Sequence, residues 1–274
     1  MSTVEPGKRL RPNLRRGVYV IPTSLSILNV FFGFRAIVYS TRAIEAITLG
    51  RTEAAIDFFE TACLSLLFAA VFDTFDGMIA RQLNATSEFG KEYDSLADMV
   101  TFGVAPAVLV YAWGLHTFEK LGGGIAFLFM VAVSLRLARF NVITGKTDYR
   151  YFVGLPSPAG ALTMASMIFY APAPVTDRRF ATVVMLVTIF TAFAMVSPVR
   201  WRSQKGLALQ KERSLMYFVI LALILGLAFR WPREFWFVGA ICYLMSGPLM
   251  KLWSLAFPSP PVAPPPAPVE EPVP

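Results

Sequence analysis

The sequence predicts an all-α polytopic membrane protein, built as a bundle of about eight transmembrane helices. Hydrophobic residues make up 55% of the chain and charged residues only 16%, whereas soluble domains carry about 25% charged residues. The mean hydropathy is +0.56. Long apolar stretches recur between short polar breaks, without the alternation typical of membrane strands. These observations favour membrane helices over a soluble fold or a barrel.

Each apolar stretch is taken as one helix. A helix rises about 1.5 Å per residue, so about 20 residues cross the hydrocarbon layer. The fifth stretch is shorter than that, so its ends are the least certain. The predicted helices cover residues 18–40, 54–82, 94–115, 121–141, 156–172, 179–199, 213–230 and 234–256.

Three regions follow from this pattern. Residues 1–17 form a basic N-terminal segment, residues 18–256 the transmembrane catalytic domain, and residues 257–274 a Pro-rich tail. The tail is predicted to be disordered, because proline cannot continue a helix. The basic segment is predicted to be cytoplasmic and not a cleaved signal peptide, because the apolar run after it is too long and lacks a cleavage site.

Charge predicts orientation and excludes some chemistry. The chain carries 25 Lys and Arg against 18 Asp and Glu, a net charge of +7. Most of the basic residues fall on one side if both termini are cytoplasmic, as the positive-inside rule favours. This excess is expected to face anionic lipid, and nucleic acid is not a predicted partner. A single histidine, His116, argues against a two-histidine zinc site and a Ser-His-Asp relay.

Four aspartates interrupt the apolar pattern. Asp73 and Asp76 are three residues apart on the second helix, and Asp94 and Asp98 are four apart on the third. Each pair therefore shares one helix face, and the short connection lets the pairs converge near the cytoplasmic interface. An aspartate in a membrane helix costs about 2.5–3.5 kcal/mol. A divalent metal is the simplest compensation, and four carboxylates suit a two-metal site for phosphoryl transfer.

Small and polar residues accompany the aspartates. Gly77, Ala80 and Gly90 leave room for a nucleotide or pyrophosphate to approach the backbone. Arg81 can pair with phosphate through its planar fork, and Ser87 can donate a hydroxyl hydrogen bond.

The spacing Asp73-x2-Asp76-Gly77-x2-Ala80-Arg81-x8-Gly90-x3-Asp94-x3-Asp98 resembles the signature of the CDP-alcohol phosphotransferase family. The resemblance implies a CMP-releasing transfer of a phosphatidyl-type group onto an alcohol, with two divalent cations, Mg²⁺ or Mn²⁺. It implies that Asp73, Asp76, Asp94 and Asp98 hold the metals and that Asp98 is also the catalytic base. By the same resemblance, the CDP-diacylglycerol site is lined by Ser26, Asn29, Gly77, Ala80, Arg81, Ser87 and Gly90.

The flanking segments resemble the serine-accepting branch of that family. They comprise residues 94–107, Leu135–Asn141 and Phe152–Gly160. The first helix is similar to the family's opening segment but departs from it at Thr23 and Ser26. The branch implies transfer of the phosphatidyl group of CDP-diacylglycerol to the hydroxyl of L-serine, giving phosphatidylserine and CMP. It also implies a homodimer in the bacterial inner membrane, with the active site on the cytoplasmic side.

A serine acceptor needs a cation for its carboxylate. Arg136 and Arg139 lie at a predicted cytoplasmic helix end and can supply that cation, and Asn141 can add polar contacts. Arg139 is expected to contribute more than Arg136, because it lies one turn closer to the cytoplasm. Both arginines also fit a purely interfacial role.

Two alternatives to serine transfer remain open. The same chemistry can use choline, glycerol phosphate or inositol phosphate as acceptor. The second alternative is a cation transporter. It is disfavoured because the carboxylates cluster on two successive helices and the sequence shows no internal repeat.

Overall fold

A computed structural model describes residues 12–82, 88–143, 151–202, 226, 228 and 230–257. These residues are almost entirely helical, which confirms the all-α class. The longer helices are α1 (Pro12–Thr48), α2 (Thr52–Gln82), α3 (Glu88–Asp98), α4 (Ala105–Trp113), α5 (Glu119–Ile143), α6 (Ser157–Tyr170), α7 (Arg178–Val196) and α8 (Pro232–Ala256). A π-helical turn, Met99–Val104, joins α3 to α4, and a 3₁₀ turn, Leu115–Phe118, precedes α5.

Six helical spans within the described residues are long and apolar enough to cross a membrane. They correspond to six of the eight predicted helices. The predicted fifth helix is α6, whose 14 residues extend about 21 Å, too short to cross the hydrocarbon alone. The predicted helix 213–230 lies almost wholly outside the described residues, as do residues 1–11 and 258–274. α1 begins at Pro12, inside the segment 1–17 that was predicted to precede it.

α1 and α2 form a long hairpin that packs along most of its length. Gly50, with a φ of 71°, lies in the short turn between them. Ala36 and Ala43 of α1 and Ala55 and Ala62 of α2 are fully buried. Small residues allow membrane helices to approach closely, because lipid supplies little hydrophobic driving force for their association.

The prediction of a helix over 94–115 was wrong in its start. The helix begins at Glu88, an acidic residue in the first turn, where negative charge favours a helix N-terminus. One helical span then runs from Glu88 to Trp113, and its residues Met99–Val104, after Asp98, are π-helical. Gly33 of α1 packs on this turn so closely that an added side-chain carbon would collide with Thr101. The Thr101 hydroxyl donates a hydrogen bond to the Asn29 carbonyl at 3.2 Å.

α6 lies inside the bundle, packed against α2, α4 and α8. The segment before α6 contains strand β1 (Tyr151–Val153), which pairs antiparallel with β2 (Arg200–Arg202). The sequence did not predict these strands. Trp201 of β2 is buried and packs against Gly247 of α8. The strand pair therefore connects the segment before α6 to the last helix.

Candidate metal and active site

Three aspartates converge from two helices. Asp73 and Asp76 on α2 and Asp94 on α3 each place one carboxylate oxygen within 4.8 Å of the others. Asp76 is buried, with 4% of its surface exposed. The helical spacing of Asp73 and Asp76 puts both on the same face of α2. The structure thus brings together three of the four carboxylates predicted to hold metal.

Asp98 lies beside this cluster rather than within it. Its carboxyl group contacts that of Asp73 closely enough for a hydrogen bond between the side chains. The amide nitrogen of Asn29 lies 3.5 Å from Asp98 Oδ1. Asp98 is therefore placed differently from the other three, although it stands one turn after Asp94 on α3.

α1 contributes polar side chains to the carboxylates. The hydroxyl of Ser26 donates a hydrogen bond to Asp76 Oδ2 at 2.9 Å, and fully buried Asn29 reaches Asp98. The resemblance predicted both residues as contacts for CDP-diacylglycerol. Their role as partners of the aspartates was missed at the sequence level, although their spacing of three residues already placed them on one face of α1.

The donor set fits a divalent cation. Asp94 Oδ1 is buried and has no hydrogen-bond partner among the described residues, and Asn29 Oδ1 is in the same situation. Among the described residues, no ion pair joins a lysine or arginine to Asp73 or Asp94. Converging carboxylate oxygens are the ligands of hard cations such as Mg²⁺ and Mn²⁺. A cation between these oxygens would offset the repulsion between the carboxylates.

Two of the residues predicted to line the nucleotide site are next to the aspartates on the same helices. Gly77 follows Asp76 on α2, and Gly90 lies one helical turn before Asp94 on α3. Ala80 and Arg81 occupy the last turn of α2, but their side chains lie outside the described part of the structure, and Ser87 lies outside it altogether.

Arg136 on α5 is buried, with 9% of its surface exposed. Its Nη1 donates a hydrogen bond to the Ser157 hydroxyl at 2.8 Å, and its charge interacts with that of Asp98. Its Nε is buried and has no hydrogen-bond partner among the described residues. No ion pair with an acidic side chain is found for Arg136 in the described ranges. A buried cation with an unused donor is suited to an anionic ligand.

Arg139 and Asn141 are occupied differently. Arg139 Nη1 donates to the Val196 carbonyl at the end of α7, at 3.0 Å, and its guanidinium also lies against Gly154. Asn141 is exposed, and its amide nitrogen donates to the Ser95 hydroxyl at 3.0 Å. Arg139 thus ties α5 to α7, and Asn141 ties α5 to α3.

The comparison with known families agrees with this geometry. A family model described as CDP-alcohol phosphatidyltransferase matches residues 19–196. The chain belongs to that family. The matched segment contains the four aspartates, both α1 residues that contact them, and Arg136. CDP-alcohol phosphatidyltransferases generally depend on metal, which is consistent with the carboxylate cluster.

Several curated members of this family are similar to the chain. It is 29% identical over 235 residues to the CDP-diacylglycerol–serine O-phosphatidyltransferase of Helicobacter pylori strain 26695, covering 84% of this chain and 90% of the relative. It is 37% identical over 166 residues to the Mycobacterium leprae protein of that name, covering 58% and 50%. It is 32% identical over 189 residues to the archaetidylserine synthase of Methanothermobacter thermautotrophicus, covering 68% and 71%.

Proposed function

We propose that this membrane enzyme transfers the phosphatidyl group of CDP-diacylglycerol to the hydroxyl of L-serine, giving phosphatidylserine and CMP in phospholipid biosynthesis. The observation that carries the acceptor assignment is Arg136, a buried cation whose charge interacts with that of Asp98 and whose Nε has no hydrogen-bond partner among the described residues. Family membership supports the phosphatidyl transfer, and the names of the relatives support serine as the acceptor.

The aspartates are the proposed metal ligands. Asp73, Asp76 and Asp94 would hold the divalent cations, with Asp98 as the fourth ligand, and two ions, Mg²⁺ or Mn²⁺, are proposed. Bound there, the ions would supply positive charge that polarises the phosphoryl group and stabilises the departing CMP. The unpartnered Asp94 Oδ1 supports this assignment, because a buried carboxylate oxygen is costly unless something binds it.

Asp98 is the proposed general base. Its carboxyl group contacts that of Asp73, and its charge interacts with that of Arg136. The serine hydroxyl oxygen attacks the phosphorus that carries diacylglycerol, and its proton passes to Asp98. The bond from that phosphorus to the oxygen bridging to CMP breaks, and CMP leaves with the electron pair. Asn29 would keep the Asp98 carboxylate oriented for this transfer.

Arg136 is the proposed ligand of the acceptor carboxylate. This reverses the order of preference expected from sequence, because Arg139 already donates to a backbone carbonyl of α7. A guanidinium binds a carboxylate through two parallel hydrogen bonds, whereas choline would require an aromatic cage. Glycerol phosphate and inositol phosphate also carry an anion and remain the alternatives. Asn141 is proposed to support the site from its edge.

Placement in the cell is also proposed. The surplus of basic residues at one face favours both termini and the active site on the cytoplasmic side of a bacterial inner membrane. A homodimer is proposed as the assembly, from the family resemblance. CDP-diacylglycerol would enter from the lipid phase, and serine from the aqueous side.

The direct test is purified protein with CDP-diacylglycerol, Mg²⁺ or Mn²⁺ and a panel of alcohols, with chromatography of the lipid product. We expect phosphatidylserine and equimolar CMP with serine, and little product with choline, glycerol phosphate or inositol phosphate. The Asp94→Asn variant is the inactive control. Efficient transfer to another alcohol and none to serine would contradict the acceptor assignment. Metal-driven cation flux in vesicles without CMP release would instead favour the transporter.

A further inference from the structure

The hydrogen bond between Arg136 and Ser157 lies outside the carboxylate cluster, and the proposed function gives Ser157 no role. The Nη1 of Arg136 donates to the Ser157 hydroxyl at 2.8 Å. Ser157 is the first residue of α6 and is 1% exposed. Both partners are thus removed from bulk water. A hydrogen bond to a charged donor is stronger in the protein interior than in water, so this one holds its geometry firmly.

The backbone around Ser157 is held in place by its neighbours. Gly154, with a φ of 83°, donates its N–H to the Val199 carbonyl at 2.8 Å, and Leu155 donates to the Ala194 carbonyl at 3.0 Å. Pro156 and Pro158 flank Ser157, and each has a restricted φ. The Ser157 hydroxyl is therefore a rigid acceptor, set by the contact between the start of α6 and the end of α7.

A guanidinium offers two nitrogens side by side, Nε and Nη2, as the edge that pairs with a carboxylate. Ser157 occupies Nη1, which lies outside that edge. The Nε of Arg136 is buried and unpartnered. Ser157 thus holds Arg136 through a nitrogen outside the carboxylate-binding edge, and Nε, within that edge, has no hydrogen-bond partner among the described residues.

We infer that Ser157 is a positioning residue of the acceptor site. It holds the Arg136 guanidinium so that its Nε–Nη2 edge receives the carboxylate of the acceptor while Asp98 receives the hydroxyl proton. This inference rests on the proposed function, because it takes a carboxylated alcohol as the acceptor. It adds to that function a residue from α6 that acts through Arg136.

The test compares the KM for serine with the KM for CDP-diacylglycerol in Ser157→Ala. Loss of one hydrogen bond to the guanidinium should raise the serine KM about three- to tenfold and leave the KM for CDP-diacylglycerol unchanged. Ser166→Ala is the matched control: Ser166 is also buried on α6, but its hydroxyl bonds to the Thr163 carbonyl of the same helix. It should leave both constants at the wild-type values.

Conservative variants separate positioning from packing. Ser157→Thr keeps the hydroxyl and should recover most of the serine affinity, and Ser157→Cys, closest to serine in size, should give an intermediate KM because sulfur is a weak acceptor. In an Arg136→Lys background, Ser157→Ala should change the serine KM less than about twofold, because its effect passes through the guanidinium. An unchanged serine KM in Ser157→Ala, or an equal rise for both substrates, would overturn the inference.

Failure of the proposed function gives a different result. If the wild-type enzyme uses glycerol phosphate or inositol phosphate instead of serine, the acceptor assignment fails. A selective rise of the KM for that anionic acceptor in Ser157→Ala would still support positioning of Arg136. If the wild-type enzyme uses choline, which carries no anion, both the acceptor assignment and the role of Ser157 are overturned.

Discussion

The hydroxyl of Ser26 donates a hydrogen bond to Asp76 Oδ2 at 2.9 Å, across 50 residues of sequence. This contact connects α1 to the carboxylate cluster on α2 and α3. An outer hydrogen bond of this kind fixes the orientation of a carboxylate ligand and tunes its affinity for metal. α1 is thus part of the site and not only a membrane span.

Removing this hydrogen bond should weaken metal binding. We expect Ser26→Ala to raise the Mg²⁺ or Mn²⁺ concentration needed for half-maximal activity about 10- to 100-fold, with smaller loss at saturating metal. Metal titration of activity, together with calorimetry of metal binding, measures the effect. Ser40→Ala is the control, because the hydroxyl of buried Ser40 on the same helix donates to the Ala36 carbonyl of that helix. Equal metal dependence in Ser26→Ala and wild type would contradict the role of Ser26.

Loss of one carboxylate from the cluster should abolish catalysis without unfolding the protein. Asp94→Asn removes a charged ligand whose Oδ1 has no protein partner, so we expect turnover to fall by orders of magnitude. The thermal stability of the detergent-solubilised protein should not decrease, because the clustered charges oppose folding in the absence of metal. Asp57→Asn, at an exposed position of α2, is the matched control. Full activity of the wild-type enzyme in excess chelator would contradict the metal assignment.

Asp98 is expected to act on the proton rather than on the lipid substrate. Asp98→Asn should lower kcat about 10²–10⁴-fold, the usual contribution of a general base, while binding of CDP-diacylglycerol persists. Turnover kinetics and equilibrium binding of the nucleotide lipid, measured on the same preparation, separate the two effects. Normal turnover in this variant would assign the proton to another group or to water.

The two arginines of α5 should respond differently to truncation. Arg136→Ala removes a charge-assisted pair and should raise the serine KM about 10- to 150-fold. Arg139→Ala removes the hydrogen bond to the Val196 carbonyl and should lower the melting temperature while leaving the serine KM near wild type. Steady-state kinetics and thermal unfolding of both variants test this contrast. A large rise of the serine KM in Arg139→Ala alone would restore the preference expected from sequence.

Close packing of α1 on the π-helical turn should matter for stability. In Gly33→Ala the new methyl group would collide with Thr101, so we expect destabilisation of about 1–3 kcal/mol and weaker alignment of Asn29 with Asp98. Gly124→Ala on α5 is the control, since nothing lies within 4 Å of its added carbon. Thermal unfolding in detergent measures both, and equal stability of the two variants would contradict the packing argument.

The sequence by itself determined the membrane class, six of the spans and the four-aspartate motif. These are local properties: apolar length decides a span, and a spacing of three or four residues decides which side chains share a helix face. The strand pair and the π-helical turn after Asp98 escaped prediction, because three-residue strands and such a turn leave little local signal.

Only the tertiary structure decided which atoms meet. Arg136 and Arg139 are the same residue type, three positions apart on one helix, and position along that helix alone favoured Arg139. Packing of α6 buries Arg136 against Ser157, whereas the end of α7 takes up Arg139. Likewise, Ser26 and Asn29 find Asp76 and Asp98 only because α1 lies against α2 and α3. These contacts join residues 21 to 69 positions apart, so they depend on how the helices pack. Short-range patterns in the sequence do not show that packing.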